Sequence, residues 1–214
     1  MIKLIIFDLD DTLYNEKEYV VSGFRSVSKK IESKYGLNFF EVYSALLESF
    51  FVDGRGKNFD KIVDKFGLSP KIVPDLVKTY RGHEPEIHIK DEDKLFLKKL
   101  SQKYKLCLIT DGWEDVQKNK VSVLKLDSIF DLVLYSQRDG IKYAKPHNKF
   151  FVKALNYFKV KKEEAVMIGD DYDKDIVGAN GLGIKTFQVE NFLDKKEKEA
   201  IKFILKDENI KNRK

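Results

Sequence analysis

The chain has 214 residues and contains a single cysteine, Cys107, so it cannot form an internal disulfide. Cys107 stands in the apolar run Leu106-Cys107-Leu108-Ile109, which indicates a core residue. No apolar stretch is long enough to span a membrane, and no signal-peptide pattern precedes the first strand-like run. We therefore expect a cytoplasmic protein that has no membrane partner.

The chain also lacks a basic block with interleaved aromatic residues, although its formal net charge is +5. Its 40 Lys and Arg residues are mixed along the chain with 35 Asp and Glu residues. An anionic substrate accounts for this small excess, and lysine-rich solvated helix faces account for it better. We expect no nucleic-acid partner. The hydrophobic fraction of 43% is enough for a core, and the length fits one domain or one domain with an insert.

Short apolar runs and helical patterns alternate over much of the chain. The runs cover residues 2–7, 104–109, 132–135, 165–168 and, more weakly, 186–189. Nearly continuous apolar runs of this length are typical of strands that are buried on both faces of a parallel sheet. Their alternation with helices predicts an α/β fold with a doubly wound sheet.

Residues 14–88 interrupt this alternation, because they hold helical patterns and no clear strand. The patterns cover residues 16–35, 39–51, 59–66 and 71–80. We therefore predict a core formed by residues 1–13 and 89–214, with a helical insert at 14–88. A lysine- and glutamate-rich helix is expected over residues 195–214.

The segment after the first run is rich in acidic residues, Asp8-Leu9-Asp10-Asp11-Thr12. Side chains alternate along an extended chain, so Asp8 and Asp10 are expected on one side. Two close carboxylates repel each other unless a cation or proton lies between them, and Mg²⁺ suits such oxygen ligands. Asp8 could then attack phosphorus while Asp10 transfers a proton. The alternative is that these acids only cap a following helix, for which Asp11 or Thr12 would be enough.

Three further polar segments follow later predicted strands, at the sheet edge where α/β proteins bind ligands. Thr110-Asp111-Gly112 offers a hydroxyl and free backbone N–H groups to an anion, or merely an N-cap. Lys145 could hold a phosphoryl oxygen and balance Asp8, although a lysine is usually a surface residue. The acidic segment Gly169–Asp175 could complete a magnesium site, or could be a solvated loop.

Taken together and in this order, the four segments resemble the motifs of the haloacid dehalogenase superfamily, most of whose members are phosphatases. The similarity runs from Ile2 to about Val189. It implies a Rossmann-like core with an α-helical cap inserted after the first motif. The helical interval 14–88 fits that cap.

The resemblance also implies roles for individual residues. Asp8 is expected to be the nucleophile and Asp10 the general acid and base, while Thr110 and Lys145 hold the phosphoryl group. The Mg²⁺ ligands are expected to be Asp8, the backbone carbonyl of Asp10, and Asp170, with support from Asp175.

Two positions depart from the usual pattern of the superfamily. Asp111 stands where the second motif usually has Asn, which adds a negative charge beside an anion site unless the side chain turns away. His147 stands where the third motif often has a second proline. Neither departure removes a residue to which the resemblance gives a role.

We therefore predict a Mg²⁺-dependent phosphatase for a small phosphomonoester, such as a sugar phosphate, a nucleotide or a phosphoglycolate-like compound. Thr110, Asp111, Gly112 and Lys145 are the predicted substrate-binding residues of the core. A phosphomutase or phosphotransferase of the same superfamily stays open. Asp10 argues against a dehalogenase, since those enzymes lack this acid, and the intact acids argue against a non-catalytic binding module.

Within the helical insert, Arg55 is a candidate substrate-binding residue. It lies in the segment Asp53-Gly54-Arg55-Gly56-Lys57-Asn58, in which glycines flank two cations. The alternative is an ordinary polar turn. The sequence leaves the oligomeric state open between a monomer and a homodimer.

Overall fold

The structure is a computed structural model that describes residues 1–190 and 194–211, with the backbone alone from 206 onward. The chain divides into two compact units. The larger unit consists of Met1–Asn15 and His88–Lys214, and the smaller one consists of Glu16–Ile87. Among the described residues, no helix combines the length and the apolar character needed to cross a lipid bilayer.

The larger unit contains a five-stranded parallel sheet. Its strands are β1 (Leu4–Phe7), β2 (Lys105–Thr110), β3 (Leu132–Tyr135), β4 (Ala165–Gly169) and β5 (Lys185–Gln188). Their order across the sheet is β3-β2-β1-β4-β5. The prediction of an α/β fold with a parallel sheet is confirmed, and the strands lie within about two residues of the predicted runs.

Strand β1 lies in the middle of the sheet and is completely buried. Its last residue, Phe7, pairs with Leu108 of β2 and with Ile168 of β4. The backbone N–H of Asp8 donates to the carbonyl of Ile168, with an N···O distance of 3.0 Å. This register brings the polar segments that follow β1, β2 and β4 to the same carboxyl edge of the sheet, where ligands bind in open α/β folds.

The smaller unit is entirely helical in its regular structure. Its helices are α1 (Glu16–Tyr35), α2 (Phe39–Asp53), α3 (Asn58–Lys65) and α4 (Val73–Gly82), with a 3₁₀ turn at Pro70–Ile72. Asn38 caps α2, because its side-chain oxygen accepts from the N–H groups of Phe40 and Glu41. The helix ends at Gly54, whose φ of +74° favours glycine.

Helices surround the sheet of the larger unit. They are α5 (Asp91–Ser101), α6 (Glu114–Val123), α7 (Lys149–Phe158), a π-helical turn at Tyr172–Val177, α8 (Gly178–Asn180) and α9 (Lys195–Lys211). Helix α7 packs Phe150, Phe151 and Ala154 against the apolar residues of the sheet. Residues 212–214 of the predicted last helix lie outside the described residues. Helix α6 follows β2 directly, so its first turns lie beside the carboxyl edge of the sheet.

Candidate active site

Lys145 lies at the centre of a cluster of buried charges at the carboxyl edge of the sheet. Its side chain is only 3% exposed, and its Nζ contacts Oδ1 of Asp8 and lies 2.7 Å from Oδ1 of Asp175. Burial alone would lower the pKa of Lys145, but the negative charges of Asp8 and Asp175 outweigh it and raise the pKa. Lys145 is therefore held as a cation between two carboxylates.

Asp8, Asp170 and Asp175 form the acidic group with metal-ligand spacing among the described residues. Each offers one carboxylate oxygen, and these three oxygens lie within 4.8 Å of one another. Burial raises the pKa of Asp8 well above its usual range against the opposing charge of Lys145, and Asp175 raises it further. Burial likewise raises the pKa values of Asp170 and Asp175. A hard divalent cation fits this group, because it would offset the crowded negative charge with oxygen ligands.

Thr12 is completely buried beside this acidic group. Its hydroxyl lies 2.9 Å from Oδ1 of Asp170 and accepts from the backbone N–H of Asp170 at 3.1 Å. The sequence suggested only a helix cap for Thr12. In the structure it orients the carboxylate of Asp170, an outer contact of the kind that tunes metal ligands.

Asp10 faces a different set of partners from Asp8. Its Oδ1 accepts from the hydroxyl of Tyr14 at 2.5 Å and from Nζ of Lys120 at 2.7 Å. Its Oδ2 accepts from Nε2 of Gln117 at 2.8 Å. The Asp10 carboxylate is not part of the acidic group of Asp8, and the use of its backbone carbonyl as a metal ligand stays a prediction.

Thr110 and Asp111 lie at the end of β2, next to the cluster. Thr110 is completely buried, and its hydroxyl oxygen accepts from the side chain of Gln117. The Asp111 carboxylate turns toward the protein, where its Oδ1 contacts the hydroxyl of Ser136 and accepts from the backbone N–H of Lys145 at 3.2 Å. Asp111 therefore fixes the segment that carries Lys145.

Gly112 completes the predicted second motif and has a φ of +126°, a conformation that favours glycine. A Cβ atom at this position would lie 3.2 Å from the side chain of Gln117. Because Gly112 has no Cβ atom, the side chain of Gln117 has room at the C-terminal end of β2.

Arg55 lies in the smaller unit, where its guanidinium pairs with the carboxylate of Glu16. The side chain of Arg55 is 59% exposed and that of Glu16 is 15% exposed. Substrate binding by Arg55 stays a prediction.

A model of the haloacid dehalogenase-like hydrolase family matches residues 5–189 of the chain. The chain belongs to this family. The match covers β1 from its second residue, the other four strands completely and the residues of the buried cluster, so the predicted family and the predicted enzyme class are confirmed.

Several named proteins resemble the chain over most of its length. A glyceraldehyde 3-phosphate phosphatase from Pyrococcus furiosus is 35% identical over 86% of this chain and 79% of its own length. The pyrophosphatase PpaX from Halalkalibacterium halodurans is 30% identical over 86% of this chain and 82% of its own. The crystal structure of a phosphatase of the family from Thermococcus onnurineus has a TM-score of 0.63 at 23% identity, covering 95% of this chain and 98% of that one.

Gln117 and Lys120 of α6 were not predicted as site residues from the sequence. They stand seven and ten residues after Thr110, three residues apart, which is the spacing of one helical face. That spacing was the available signal. A Gln and a Lys on a helix are nevertheless typical of a solvated face, so only the structure reveals that both are buried.

Proposed function

We propose that the chain is a Mg²⁺-dependent phosphatase that hydrolyses a small phosphomonoester through an aspartyl-phosphate intermediate. The observation that carries this proposal is the buried cluster in which Lys145 contacts Asp8 while Asp170 and Asp175 lie within metal-ligand reach. The names of the relatives, which include phosphatases for glyceraldehyde 3-phosphate and for pyrophosphate, support phosphoryl chemistry.

In the first step, an oxygen of Asp8 attacks phosphorus and the bond between phosphorus and the ester oxygen breaks. Asp10 donates a proton to that leaving oxygen, which departs as an alcohol. Lys145 and Thr110 hold the phosphoryl oxygens, the former by charge and the latter by its hydroxyl. Asp8 thereby becomes an aspartyl phosphate, and Asp10 is left as a carboxylate.

In the second step, water attacks the phosphorus of the aspartyl phosphate. The Asp10 carboxylate takes a proton from this water, the bond between phosphorus and Asp8 breaks, and inorganic phosphate leaves. Both side chains then regain their starting protonation states. One residue can serve both steps because the leaving oxygen and the attacking water occupy the same side of the phosphoryl group.

Asp8 and Asp170 are the residues that would hold Mg²⁺, together with the backbone carbonyl of Asp10 and with support from Asp175. The bound ion supplies positive charge that keeps Asp8 ionised and offsets the charge of the phosphoryl group. Thr12 fits this arrangement, because it fixes the carboxylate of Asp170 through a hydroxyl that is itself buried.

The helical unit Glu16–Ile87 would serve as the cap that selects the substrate, with Arg55 as one of its binding residues. Glyceraldehyde 3-phosphate is the first substrate to test, because relatives of 34–35% identity carry its name. Pyrophosphate is the second. We further propose that the enzyme acts in the cytoplasm, as the sequence predicted.

The test is a measurement of free phosphate released from an aryl phosphate, glyceraldehyde 3-phosphate and pyrophosphate, with Mg²⁺ and with a chelator. We expect turnover that requires Mg²⁺ and a decrease of at least about 1,000-fold in kcat for Asp8→Asn. Asp173→Asn is the matched control, since Asp173 is an exposed acid in the same loop as Asp170. Full activity of Asp8→Asn would overturn the proposal, and transfer of phosphate between sugars without release would favour a mutase.

A further inference from the structure

Lys120 is a buried lysine to which the mechanism gives no role so far. It is 2% exposed, and its Nζ lies 2.7 Å from Oδ1 of Asp10 and 6.0 Å from the ring centre of Tyr14. Lysine is seldom buried unless it is paired, because desolvation of the ammonium is costly. The packing of helix α6 alone therefore does not explain why Lys120 is buried beside Asp10.

The neighbouring Gln117 is also buried, with 1% of its surface exposed. Its Nε2 lies within hydrogen-bond distance of both Oδ2 of Asp10 and the hydroxyl oxygen of Thr110. The amide nitrogen carries two protons, so it can donate to both acceptors at once. Gln117 thus links the proposed acid and base to the proposed phosphoryl-binding hydroxyl.

The hydrogen bonds of Asp10 leave one direction for proton transfer. A carboxylate has about four acceptor sites, two on each oxygen. Lys120 and Tyr14 occupy both sites on Oδ1, and Gln117 occupies one on Oδ2. In the part of the chain that the structure describes, the remaining site on Oδ2 is the one available to carry the transferred proton.

The same contacts set the direction of the Thr110 hydroxyl. Because Gln117 donates to the oxygen of Thr110, the proton of that hydroxyl is not used in this bond. Among the residues that the structure describes, no acceptor takes this proton, so it can be donated to a phosphoryl oxygen. The side-chain amide of Gln117 therefore orients both the carboxylate of Asp10, for proton transfer, and the hydroxyl of Thr110, for phosphoryl binding.

We propose that Lys120 and Gln117 are positioning residues for proton transfer by Asp10. Lys120 fixes Oδ1, Gln117 fixes Oδ2, and together they present the one open acceptor site of Asp10 to the leaving oxygen. This inference rests on the proposed phosphatase function and deepens it. Gln117 and Lys120 lie on helix α6, outside the four motifs, so this helix also takes part in the reaction.

The experiment compares two aryl phosphates that differ in how much their leaving group needs a proton. Phenyl phosphate releases a basic phenolate oxygen and depends on a general acid, whereas a dinitrophenyl phosphate releases a stable anion without one. The measured quantity is kcat/KM, which reports the steps up to the release of the leaving group. Since general acid catalysis contributes roughly 100-fold or more, Lys120→Met should lower kcat/KM for phenyl phosphate by about 100-fold. For the dinitrophenyl ester we expect a loss below about threefold, since no proton transfer is required.

Three further variants complete the design. Gln117→Leu should also lower kcat/KM more for the phenyl ester than for the dinitrophenyl ester, beside a loss common to both esters because Thr110 loses its hydrogen-bond donor. Lys120→Arg should recover most of the loss because it restores a cationic donor. Lys118→Met is the matched control, since Lys118 lies on the same helix, is 54% exposed and pairs with Glu114. It should leave both esters unaffected. Thermal unfolding of each variant monitors the fold.

Equal losses for both esters in Lys120→Met, or no loss for either, would overturn the inference and show a purely structural lysine. An unfolded Lys120→Met leaves Gln117→Leu and Lys120→Arg to decide, through the same ratio of the two esters. The proposed function is tested separately by the wild-type protein. If the wild type hydrolyses neither ester with Mg²⁺, the phosphatase proposal itself is wrong.

Discussion

The ammonium of Lys145 lies 2.7 Å from a carboxylate oxygen of Asp175, and both side chains are almost completely buried. The same ammonium contacts Asp8. One cation therefore holds two acids from different segments, since Asp8 directly follows β1 and Asp175 lies in the π-helical turn after β4. Because a buried charge without a partner is costly, this contact links the stability of the core unit to the assembly of its site.

Substitution Lys145→Met tests that link. It removes the cation and leaves the buried carboxylates of Asp8 and Asp175 unbalanced, so we expect the free energy of unfolding without metal to fall by about 3 kcal/mol. Chemical denaturation at neutral pH measures the change. Lys174→Met is the control, because Lys174 is 52% exposed and its pair with Asp171 is a surface pair. Equal stability of Lys145→Met and the wild type would contradict the expectation.

Metal binding should be visible without any substrate. If Asp8 and Asp170 hold Mg²⁺ in the folded state with support from Asp175, addition of Mg²⁺ raises the melting temperature, because a ligand of the native state stabilises it. A concentration 100 times the dissociation constant contributes about 2.7 kcal/mol. The shift should disappear in Asp170→Asn and persist in Asp173→Asn. A similar shift in Asp170→Asn would place the ion elsewhere.

Substitution Gly112→Ala should strain the backbone directly after the C-terminal end of β2. At a φ of +126°, an L-residue is strained, and the new Cβ would press against Gln117. We expect a loss of about 1–3 kcal/mol in the free energy of unfolding, measured by denaturation. Gly82→Ala is the matched control, since Gly82 has an ordinary φ and open space at its Cβ position. That control should be neutral or slightly stabilising, and a neutral Gly112→Ala would refute the strain argument.

Asp131 provides a pH test that is independent of the site. Burial would raise the pKa of its carboxyl, but hydrogen bonds from the side chain of Lys105 and the backbone N–H of Leu106 outweigh it and lower the pKa. A lowered pKa in the folded state stabilises the protein above the unfolded pKa of about 3.9, and this contribution disappears as the pH falls through the folded value.

The corresponding variant is Asp131→Asn, which we expect to be about 1 kcal/mol less stable than the wild type at pH 7. The difference should shrink as the pH falls below about 4, because the wild-type carboxyl then also becomes neutral. Unfolding curves over this pH range measure it, with the exposed Asp127→Asn as control. A difference that stays constant with pH would speak against the charged hydrogen bonds.

Much of the fold follows from local patterns in the sequence. The apolar run 132–135 and the helical pattern 16–35 coincide with β3 and α1, since short buried strands and amphipathic helices carry their period in their own residues. Helix α2 continues two residues beyond the predicted end at residue 51, through Val52 and Asp53, because Gly54 is the residue that ends it. The second half of the acidic segment Gly169–Asp175 lies in the π-helical turn Tyr172–Val177, which the sequence did not predict.

The sequence by itself determined the order of the four polar segments and of the strands that precede them. It also determined that these segments meet, because a parallel sheet carries the carboxyl ends of all its strands to one edge. Only the tertiary structure decided which charges meet. Lys145 pairs with Asp175, Asp111 turns toward Ser136, and Lys120 reaches Asp10 across 110 positions of the chain. Helical spacing gives the face on which a side chain lies but not the partner that this face contacts, since that partner comes from a distant segment through packing.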